Sequence, residues 1–314
     1  MRVVFCGSGQ FAIPSLRAIA DSEHEIVGVL TQPARPRGRG GMLARTPVGE
    51  LARRMRLNLI ETAAINAPES VERIAALSPE VLCVVDFGQM VRAAVRATAP
   101  VSTFNLHGSL LPQLRGAAPI NWALIRGYQT TGVTTFELAD KMDAGPMYLQ
   151  KSLEIGATDT AEQLRRRLAE LGSRVVCETL ELLAAGQARP IPQDEARVTM
   201  APRLTKADGL IQWSREVLDV HNLIRGCWPW PAGRAVYPRD DGKETVVSIA
   251  LSEVASAAGR AVPGTVDEEY LVATGSGRLR IVQIQPAGGR LMAWRDFVNG
   301  YRVRPGCVFT SLQE

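Results

Sequence analysis

The residues best suited to chemistry in this chain are Asn105, His107 and Asp143. Asn105 and His107 are two positions apart, so a strand that ends at His107 would project both side chains from the same face. Gly108 and Pro112 then predict a rigid loop after the strand. An amide donor and an imidazole that point at one place are suited to stabilise a developing oxyanion.

Asp143 would complete this set from a turn after a later strand. A carboxylate beside an imidazole favours the charged ring, so Asp143 would keep His107 protonated. Each residue also has a plain structural explanation, as a turn-capping aspartate, a core histidine and a strand-end amide. Ser109 follows His107 but does not lie in a nucleophile elbow, so the sequence does not favour a serine-hydrolase triad.

The first half of the chain alternates short apolar runs with helical patterns. This alternation predicts an α/β fold with a Rossmann-like, mostly parallel sheet and helices on both faces. Ligands on such sheets bind at the carboxyl ends of strands, where Asn105 and His107 would lie. The predicted strands are Val3–Cys6, Ile26–Leu30, Val81–Val85, Thr103–Leu106 and Val133–Leu138. The predicted helices are Ile13–Ala20, Val48–Met55, Ser70–Leu77 and Pro119–Arg126.

The second half of the chain has a different pattern. A long helix over Thr160–Ala185 ends a first domain, placed at residues 1–187, and a proline-rich linker is predicted at residues 188–206. Short β-rich runs separated by turns then predict a small OB-like β-barrel domain over residues 207–314. Trp213, Trp228 and Trp230 are expected to pack in its core, or between a helix and the barrel, rather than to form a stacking platform.

A glycine-rich turn follows the first predicted strand. Gly7, Gly9 and Ala12 fit the dinucleotide fingerprint G-x-G-x-x-A. That fingerprint also needs an acidic residue at the end of the second strand, to hold a ribose hydroxyl. The second strand ends at Thr31 and Gln32 with no acid, so the glycines are interpreted as a tight turn rather than an NAD site.

Three arginines, Arg35, Arg37 and Arg39, alternate with proline and glycine in residues 32–41. The pattern predicts neither helix nor strand but a basic loop beside the presumed site. Arginine forks pair well with phosphate, so the loop favours an anionic partner such as a nucleic-acid backbone. The net charge of +4 by itself says little about partners.

Composition excludes several other classes of protein. The five cysteines are isolated and form no C-x-x-C pair, so neither a disulfide framework nor a zinc site is expected. Free thiols fit a reducing compartment, and we expect a cytoplasmic protein. No apolar run reaches the length of a membrane span.

Three motifs together resemble the 10-formyltetrahydrofolate-dependent formyltransferases: Phe104–Pro112, Arg115–Ile120 and Met142–Gly145. This core is shared by enzymes with different acceptors. Further segments are similar to the members that formylate methionyl-tRNA, namely Val4–Leu16, Thr31–Gly40, Leu204–Lys206, Ile211–Ser214 and Trp228–Pro231. The chain departs from the usual residues of these enzymes at residues 8–10, at residues 41–42 and at Ala144. The departure at residues 41–42 weakens the positive charge of the basic loop. The resemblance covers nearly the whole chain.

The resemblance implies a formyl transfer from 10-formyltetrahydrofolate to initiator methionyl-tRNA, without a metal. It implies that Asn105, His107 and Asp143 are catalytic, and that the C-terminal domain binds tRNA. It assigns folate-binding roles to Ser109, Leu110, Leu111, Pro112, Phe87, Gly88, Gln89 and Met90. It places Arg35, Arg37 and Arg39 at the acceptor end of the tRNA. A monomer is the default expectation.

Two other functions remain open at this point. An enzyme that formylates an amino-sugar nucleotide would share the catalytic set but would not need a basic loop. An RNA-binding protein without catalysis would not need Asn105, His107 and Asp143, so the intact set argues against it.

Overall fold

The computed structural model describes residues 1–37, 41–239, 242–257 and 261–312. The chain divides into two compact units, and each is discontinuous in sequence. The first contains Met1–Gly116, Thr131–Leu153 and Arg165–Met200, and the second contains Ala117–Thr130, Glu154–Leu164 and Ala201–Glu314.

The strands and helices follow one another along both units. The strands are β1 (Arg2–Gly7), β2 (Glu25–Thr31), β3 (Arg35–Arg37), β4 (Met42–Ala44), β5 (Leu59–Glu61), β6 (Val81–Val85), β7 (Ser102–His107), β8 (Thr130–Glu137), β9 (Met147–Glu154), β10 (Gly233–Pro238), β11 (Glu244–Ser256), β12 (Val272–Ala273), β13 (Arg278–Pro286) and β14 (Met292–Ala293). The helices are α1 (Ile13–Ala20), α2 (Pro47–Arg54), α3 (Pro68–Ala75), α4 (Ala93–Arg96), α5 (Pro119–Ile125), α6 (Ala161–Ala184), α7 (Val217–Cys227) and α8 (Trp294–Tyr301).

The sheet of the first unit has the strand order β5-β2-β1-β6-β7-β8-β9. Its pairs from β5 to β7 are parallel, and β8 then runs antiparallel to β7. Every residue of β6 is buried, as expected for a central strand with both faces covered. The topology confirms the prediction of a mostly parallel, Rossmann-like sheet.

Side chains of strand β7 project alternately from the two faces of this sheet. Leu106 packs against Gly172 of α6 so closely that a Cβ at Gly172 would lie 2.6 Å from a Leu106 methyl. Because side chains alternate along a strand, Asn105 and His107 leave the opposite face. The ring of His107 meets the edge of Phe136 on β8, with a centroid separation of 6.4 Å.

The basic loop departs from its prediction. Residues predicted to form neither helix nor strand pair as an antiparallel two-stranded hairpin, in which Arg35 lies opposite Ala44 and Pro36 lies opposite Leu43. The hairpin carries no apolar alternation that would have revealed it, and Leu43 is 72% exposed.

The second unit contains an antiparallel sheet in the order β10-β11-β13-β12, with β14 beside β13. This curled half-barrel confirms the predicted small C-terminal β domain. Its core is aromatic, and Tyr237, Phe297 and Phe309 pack with ring centroids 5.4 to 5.5 Å apart around Tyr237. Trp213 is buried in this core as predicted, whereas the prediction for Trp230 is wrong because its side chain is 54% exposed.

Two findings concern the chain as a whole. In the part of the chain that the structure describes, no helix is both long and apolar enough to cross a membrane. All five cysteines are free thiols, as predicted. Burial raises the pKa of Cys6 and of Cys227 to about 12, so both thiols stay protonated and act as small apolar side chains.

Candidate active site

His107 is the last residue of β7, at the carboxyl end of the parallel strands. Its side chain is buried, and its Nε2 lies 2.9 Å from the carbonyl oxygen of Leu114. Its Nδ1 faces Oδ2 of Asp143 at 3.7 Å. The Leu114 carbonyl is thus within hydrogen-bond distance of one ring nitrogen, whereas the Asp143 carboxylate lies beyond that distance from the other.

Asn105 lies two residues before His107 on the same face of β7 and is half-buried. Its side-chain amide makes no hydrogen bond to any residue that the structure describes. The sequence predicted that the strand would aim Asn105 and His107 in the same direction, and the strand geometry agrees. The amide of Asn105 is therefore available to a ligand.

Asp143 reaches the site from the loop between β8 and β9. Its Oδ2 accepts a hydrogen bond of 2.8 Å from the backbone N–H of Gly116. Its backbone lies in the left-handed region, with φ of 53°, a conformation that aspartate tolerates better than most residues. Gly145 closes the same loop so tightly that a Cβ there would overlap the carbonyl oxygen of Glu137.

Leu114 is the second residue of the site with a left-handed backbone, at φ of 60°. For a bulky side chain this conformation is a genuine outlier, of the kind that occurs where the surrounding structure dictates it. Here it aims the Leu114 carbonyl at His107, and the Leu114 N–H donates to Oγ1 of Thr199 at 2.9 Å. The backbone strain thus lies in the loop that orients the histidine.

Three side chains around this site were missed by sequence analysis: Arg115, Gln193 and Thr199. Gln193 and Thr199 fall in the stretch predicted as a linker, yet both bind loops of the site. The side chain of Arg115 is 7% exposed and pairs with Gln193 and with Glu195. The only signal in the sequence was the place of Arg115 in the Arg115–Ile120 motif, and no spacing rule connects that motif to Gln193.

The loop after β7 is held in place by hydrogen bonds within the loop and from β9. Oγ of Ser109 donates to the carbonyl of Gln113 at 2.6 Å, and Gln150 donates to the carbonyl of Leu111 at 2.8 Å. Ser109, Leu111 and Pro112 are buried, and Leu110 is half-buried. These contacts give the Ser109 hydroxyl a structural role in the loop. The folate-binding role of residues 109–112 stays a prediction.

The loop after β6 is anchored from two sides. Gln32 donates to the carbonyl of Phe87 at 2.8 Å, and the Gln89 side chain binds the Ile65 N–H and the Thr62 carbonyl at 2.8 and 3.0 Å. The backbone groups of Gly88 and Gln89 make no hydrogen bond within the described residues. The exposed backbone of this loop is therefore open to a ligand, and the binding roles of Phe87, Gly88, Gln89 and Met90 stay predictions.

The backbone amides of the glycine-rich turn after β1 are already engaged in hydrogen bonds within the protein. The N–H groups of Ser8 and Gly9 both donate to the carbonyl of Asp86, at 3.0 and 3.1 Å. A Cβ at Gly9 would overlap the Asp86 carboxylate. These glycines therefore allow a close approach between two loops, in keeping with the interpretation as a tight turn rather than a dinucleotide site.

Two of the three arginines predicted to bind tRNA lie in strand β3. Arg35 is exposed in β3. Arg37 lies in the same strand, and Arg39 lies outside the described residues. No group of three or more metal-ligating side chains occurs among the residues with described positions.

Two protein-family models match the chain. One, described as "Formyl transferase", matches residues 1–180, and the other, described as "Formyl transferase, C-terminal domain", matches residues 203–302. Together they cover most of the α/β unit, including its catalytic candidates, and most of the half-barrel.

Full-length relatives agree with these models. The methionyl-tRNA formyltransferase of Solibacter usitatus is 38% identical over 305 residues, which cover 96% of each chain. That of Caldanaerobacter subterraneus is 37% identical over 312 residues, covering 98% of this chain and 99% of the relative. A solved N-formyltransferase from Helicobacter canadensis, in complex with folinic acid and dTDP-3-aminofucose, shares the fold at 14% identity, with a TM-score of 0.66 and coverage of 90% and 98%. The chain therefore belongs to the methionyl-tRNA formyltransferase family.

Proposed function

We propose that this chain transfers the formyl group of 10-formyltetrahydrofolate to the amino group of initiator methionyl-tRNA, and that Asn105, His107 and Asp143 carry out the transfer. The product is the N-formylmethionyl-tRNA used in translation initiation. The observation that carries the assignment of residues is the approach of Nδ1 of His107 to Oδ2 of Asp143, beside the unbonded amide of Asn105.

Two donors are left for a reacting oxygen. The Nε2–H of His107 is held by the Leu114 carbonyl, but 3.7 Å to Asp143 is too long for a hydrogen bond from Nδ1. The Nδ1–H and the Asn105 amide therefore donate to the oxygen of the formyl group as negative charge develops there. Fixed donors aimed at such an oxyanion are among the largest contributions to catalysis.

Asp143 has two functions in this scheme. Its Oδ2 is fixed by the Gly116 N–H, and its charge stabilises the protonated ring of His107. Through a water molecule, it accepts the proton that the attacking amine loses as the new C–N bond forms. When the bond between the formyl carbon and folate N10 breaks, Asp143 passes that proton to N10 through water, which gives tetrahydrofolate as the leaving group.

The folate donor fits the edge of the sheet where β6 and β7 end. When bound, 10-formyltetrahydrofolate supplies the formyl carbon. The unbonded backbone groups of Gly88 and Gln89 offer donors and acceptors to a flat heterocycle such as the pteridine. Gln32 and Gln89 fix the loop, so these groups are held in place before the ligand arrives.

For the tRNA, Arg35 on the exposed hairpin contacts phosphates near the acceptor end, together with Arg37 and Arg39. The half-barrel supplies a second surface for the nucleic acid, a common use of small barrels. The five free thiols fit a cytoplasmic location beside the translation machinery. An amino-sugar nucleotide is the alternative acceptor, since the solved relative described above carries one.

One assay tests the proposal. The purified chain is given 10-formyltetrahydrofolate together with methionyl-tRNA or an amino-sugar nucleotide, and the formylated product is measured. We expect product from methionyl-tRNA at a kcat/KM at least about a hundredfold higher than from the sugar nucleotide, a difference of about 2.7 kcal/mol in transition-state binding. Equal use of both acceptors, or product from the sugar alone, would overturn the assignment.

A further inference from the structure

The segment from Ile191 to Met200 lies against two loops of the site: the loop that bears Asp143, and the loop of residues 114–116 that contacts both His107 and Asp143. Ile191 and Met147 exchange two backbone hydrogen bonds, at 2.7 and 2.8 Å, just after the Asp143 loop. At its other end, Thr199 accepts from the Leu114 N–H through its hydroxyl and from the Arg115 N–H through its carbonyl, both at 2.9 Å. The segment therefore joins two loops that are otherwise far apart in sequence.

Gln193 lies in the middle of this segment and uses its whole side-chain amide. Its Nε2 donates to the backbone carbonyls of Asp143 and Gly145, at 2.8 and 2.7 Å. Its Oε1 accepts from Nε and Nη2 of Arg115, at 3.0 and 2.8 Å. Since carbonyls need a donor and a guanidinium needs an acceptor, only one orientation of the amide satisfies all four bonds.

Arg115 connects the two loops of the site a second time, through its side chain. It stands between Leu114, whose carbonyl binds His107, and Gly116, whose N–H binds Asp143. Its buried side chain continues to Gln193, which holds the Asp143 loop from the other side. A shift of either loop therefore changes the separation of Nδ1 and Oδ2.

We propose that Gln193 is a positioning residue that sets the place of the Asp143 carboxylate relative to His107. Its two donated bonds clamp the backbone on both sides of Ala144 and hold Asp143 in its left-handed conformation. Backbone conformations of this kind persist only where surrounding contacts dictate them. The proposal rests on the proposed function, because the carboxylate that Gln193 places is the one assigned to catalysis.

The key variant is Gln193→Glu, which keeps an oxygen for Arg115 but replaces the two amide donors with a carboxylate oxygen. The matched control is Glu195→Gln, which removes the charge paired with Arg115 on the solvent side, where Glu195 is 73% exposed. We expect Gln193→Glu to lower kcat between about tenfold and a hundredfold, since small misplacements of catalytic groups have effects of that size. KM values for both substrates and the kcat of Glu195→Gln should stay within about twofold of the native enzyme.

A double-mutant cycle separates positioning from a merely structural role. If Gln193 acts through Asp143, Gln193→Glu should cause no further loss of kcat in an Asp143→Asn background. A full multiplicative loss in that background would overturn the proposal. Gln193→Asn, which keeps both polar groups on a shorter arm, should retain more activity than Gln193→Glu, and provides the test if the glutamate variant does not fold.

A spectroscopic readout makes the inference independent of turnover. The chain has three histidines, His24, His107 and His221, so imidazole ¹⁵N signals are assigned by one substitution each. At fixed pH, Gln193→Glu should shift the His107 signals and leave the other two unchanged, whereas Glu195→Gln should move none. Unchanged His107 signals together with native kcat would refute the role of Gln193. Native kcat in Asp143→Asn would instead refute the proposed catalytic function.

Discussion

His107 and Asp143 are oriented by the same three-residue loop. Leu114 accepts from Nε2 of His107 at 2.9 Å, and Gly116 donates to Oδ2 of Asp143 at 2.8 Å. These two bonds bring Nδ1 and Oδ2 face to face at 3.7 Å. This separation is too long for a hydrogen bond, so in the proposed mechanism Nδ1 donates to the developing oxyanion rather than to Asp143.

The two assigned donors should each be needed for the chemical step. We expect Asn105→Ala and His107→Ala to lower the single-turnover rate by about a hundredfold, since removal of one oxyanion donor has an effect of that size. Rapid-quench measurement with saturating substrates checks this expectation. Rates within about threefold of the native value would contradict the assigned roles. His24→Ala, at a polar surface turn, is the matched control.

Gly145 should be essential for the placement of Asp143. A Cβ at this position would overlap the carbonyl oxygen of Glu137, a backbone atom that cannot move away without disturbing the end of β8. We expect Gly145→Ala to lower kcat by more than about tenfold through displacement of the loop. Gly186→Ala is a useful contrast, because no atom lies within 4 Å of its Cβ position. Gly186 has a left-handed backbone, so Gly186→Ala should lower the free energy of unfolding through strain but leave kcat unchanged. Equal losses of kcat in the two variants would contradict the explanation.

Gln89 should control affinity for folate rather than for tRNA. Its side chain binds the Ile65 N–H and the Thr62 carbonyl, and removal leaves those backbone groups without partners, at a cost of about 1–3 kcal/mol for a buried group. We expect Gln89→Ala to raise the folate KM several-fold while the tRNA KM stays constant. Gln285→Ala, which removes a half-buried glutamine of the half-barrel, is the control. A change in the tRNA KM alone would contradict the assignment of the 86–90 loop.

Arg35 should contribute to tRNA binding in a salt-dependent way. We expect Arg35→Ala to raise the tRNA KM and to reduce the slope of log affinity against log salt by about one, the effect of one lost phosphate contact. Arg39→Ala should act in the same direction. Arg73→Ala removes an equal charge from the exposed face of α3 and should change neither quantity. An equal rise in the folate KM would argue against a role specific to tRNA.

His221 should make the free energy of unfolding depend on pH. Its ring is buried in α7, where Nε2 donates to the Ala157 carbonyl at 3.1 Å and Nδ1 lies 3.0 Å from the Ser252 hydroxyl. Burial lowers the pKa of His221, and the nearby Arg225 lowers it further, while the Ala157 bond and Glu253 act in the opposite direction. The folded chain therefore favours the neutral ring.

The sign of the effect follows from proton binding. Between the lowered pKa of the folded state and the ordinary value of about 6.5, the unfolded chain binds more protons at His221 than the folded chain does. The free energy of unfolding should therefore fall as pH decreases below about 6.5. In His221→Gln the same fall should be shallower, as measured by urea denaturation at several pH values. Parallel curves for the two proteins would contradict this prediction.

The buried sheet and its reactive residues could be predicted because their signals are local. Strands such as β6 are continuous apolar runs, and helices such as α1 have apolar residues at helical spacing, so their bounds matched closely. The Asn105–His107 pair follows from strand alternation alone. Asp143 could be connected to it because strand ends in such sheets meet at one edge.

The remaining elements depend on contacts that no local pattern encodes. Helix α8 contains Trp294, Phe297, Asn299 and Gly300, which are poor helix formers, and it forms because its two buried aromatic rings stack in the half-barrel core at 5.7 Å. No residue of strand β9 is fully buried, so the strand lacks the alternation of buried and exposed side chains that would have predicted it. Gln193 could not be identified because its four hydrogen bonds are made to residues of two loops that are distant in sequence.

The discontinuity of the two units limits how pieces of this enzyme can be exchanged with those of relatives. The second unit includes Ala117–Thr130 and Glu154–Leu164 as well as everything from Ala201 onward. Within it, Asn121 of α5 binds the carbonyl of Gly226 in α7 at 2.8 Å, and a Cβ at Gly226 would lie 2.7 Å from Ile125. A chimera spliced only after residue 200 would therefore combine α5 from one parent with α7 from another. A graft of a relative's half-barrel should therefore include that relative's segments equivalent to Ala117–Thr130 and Glu154–Leu164.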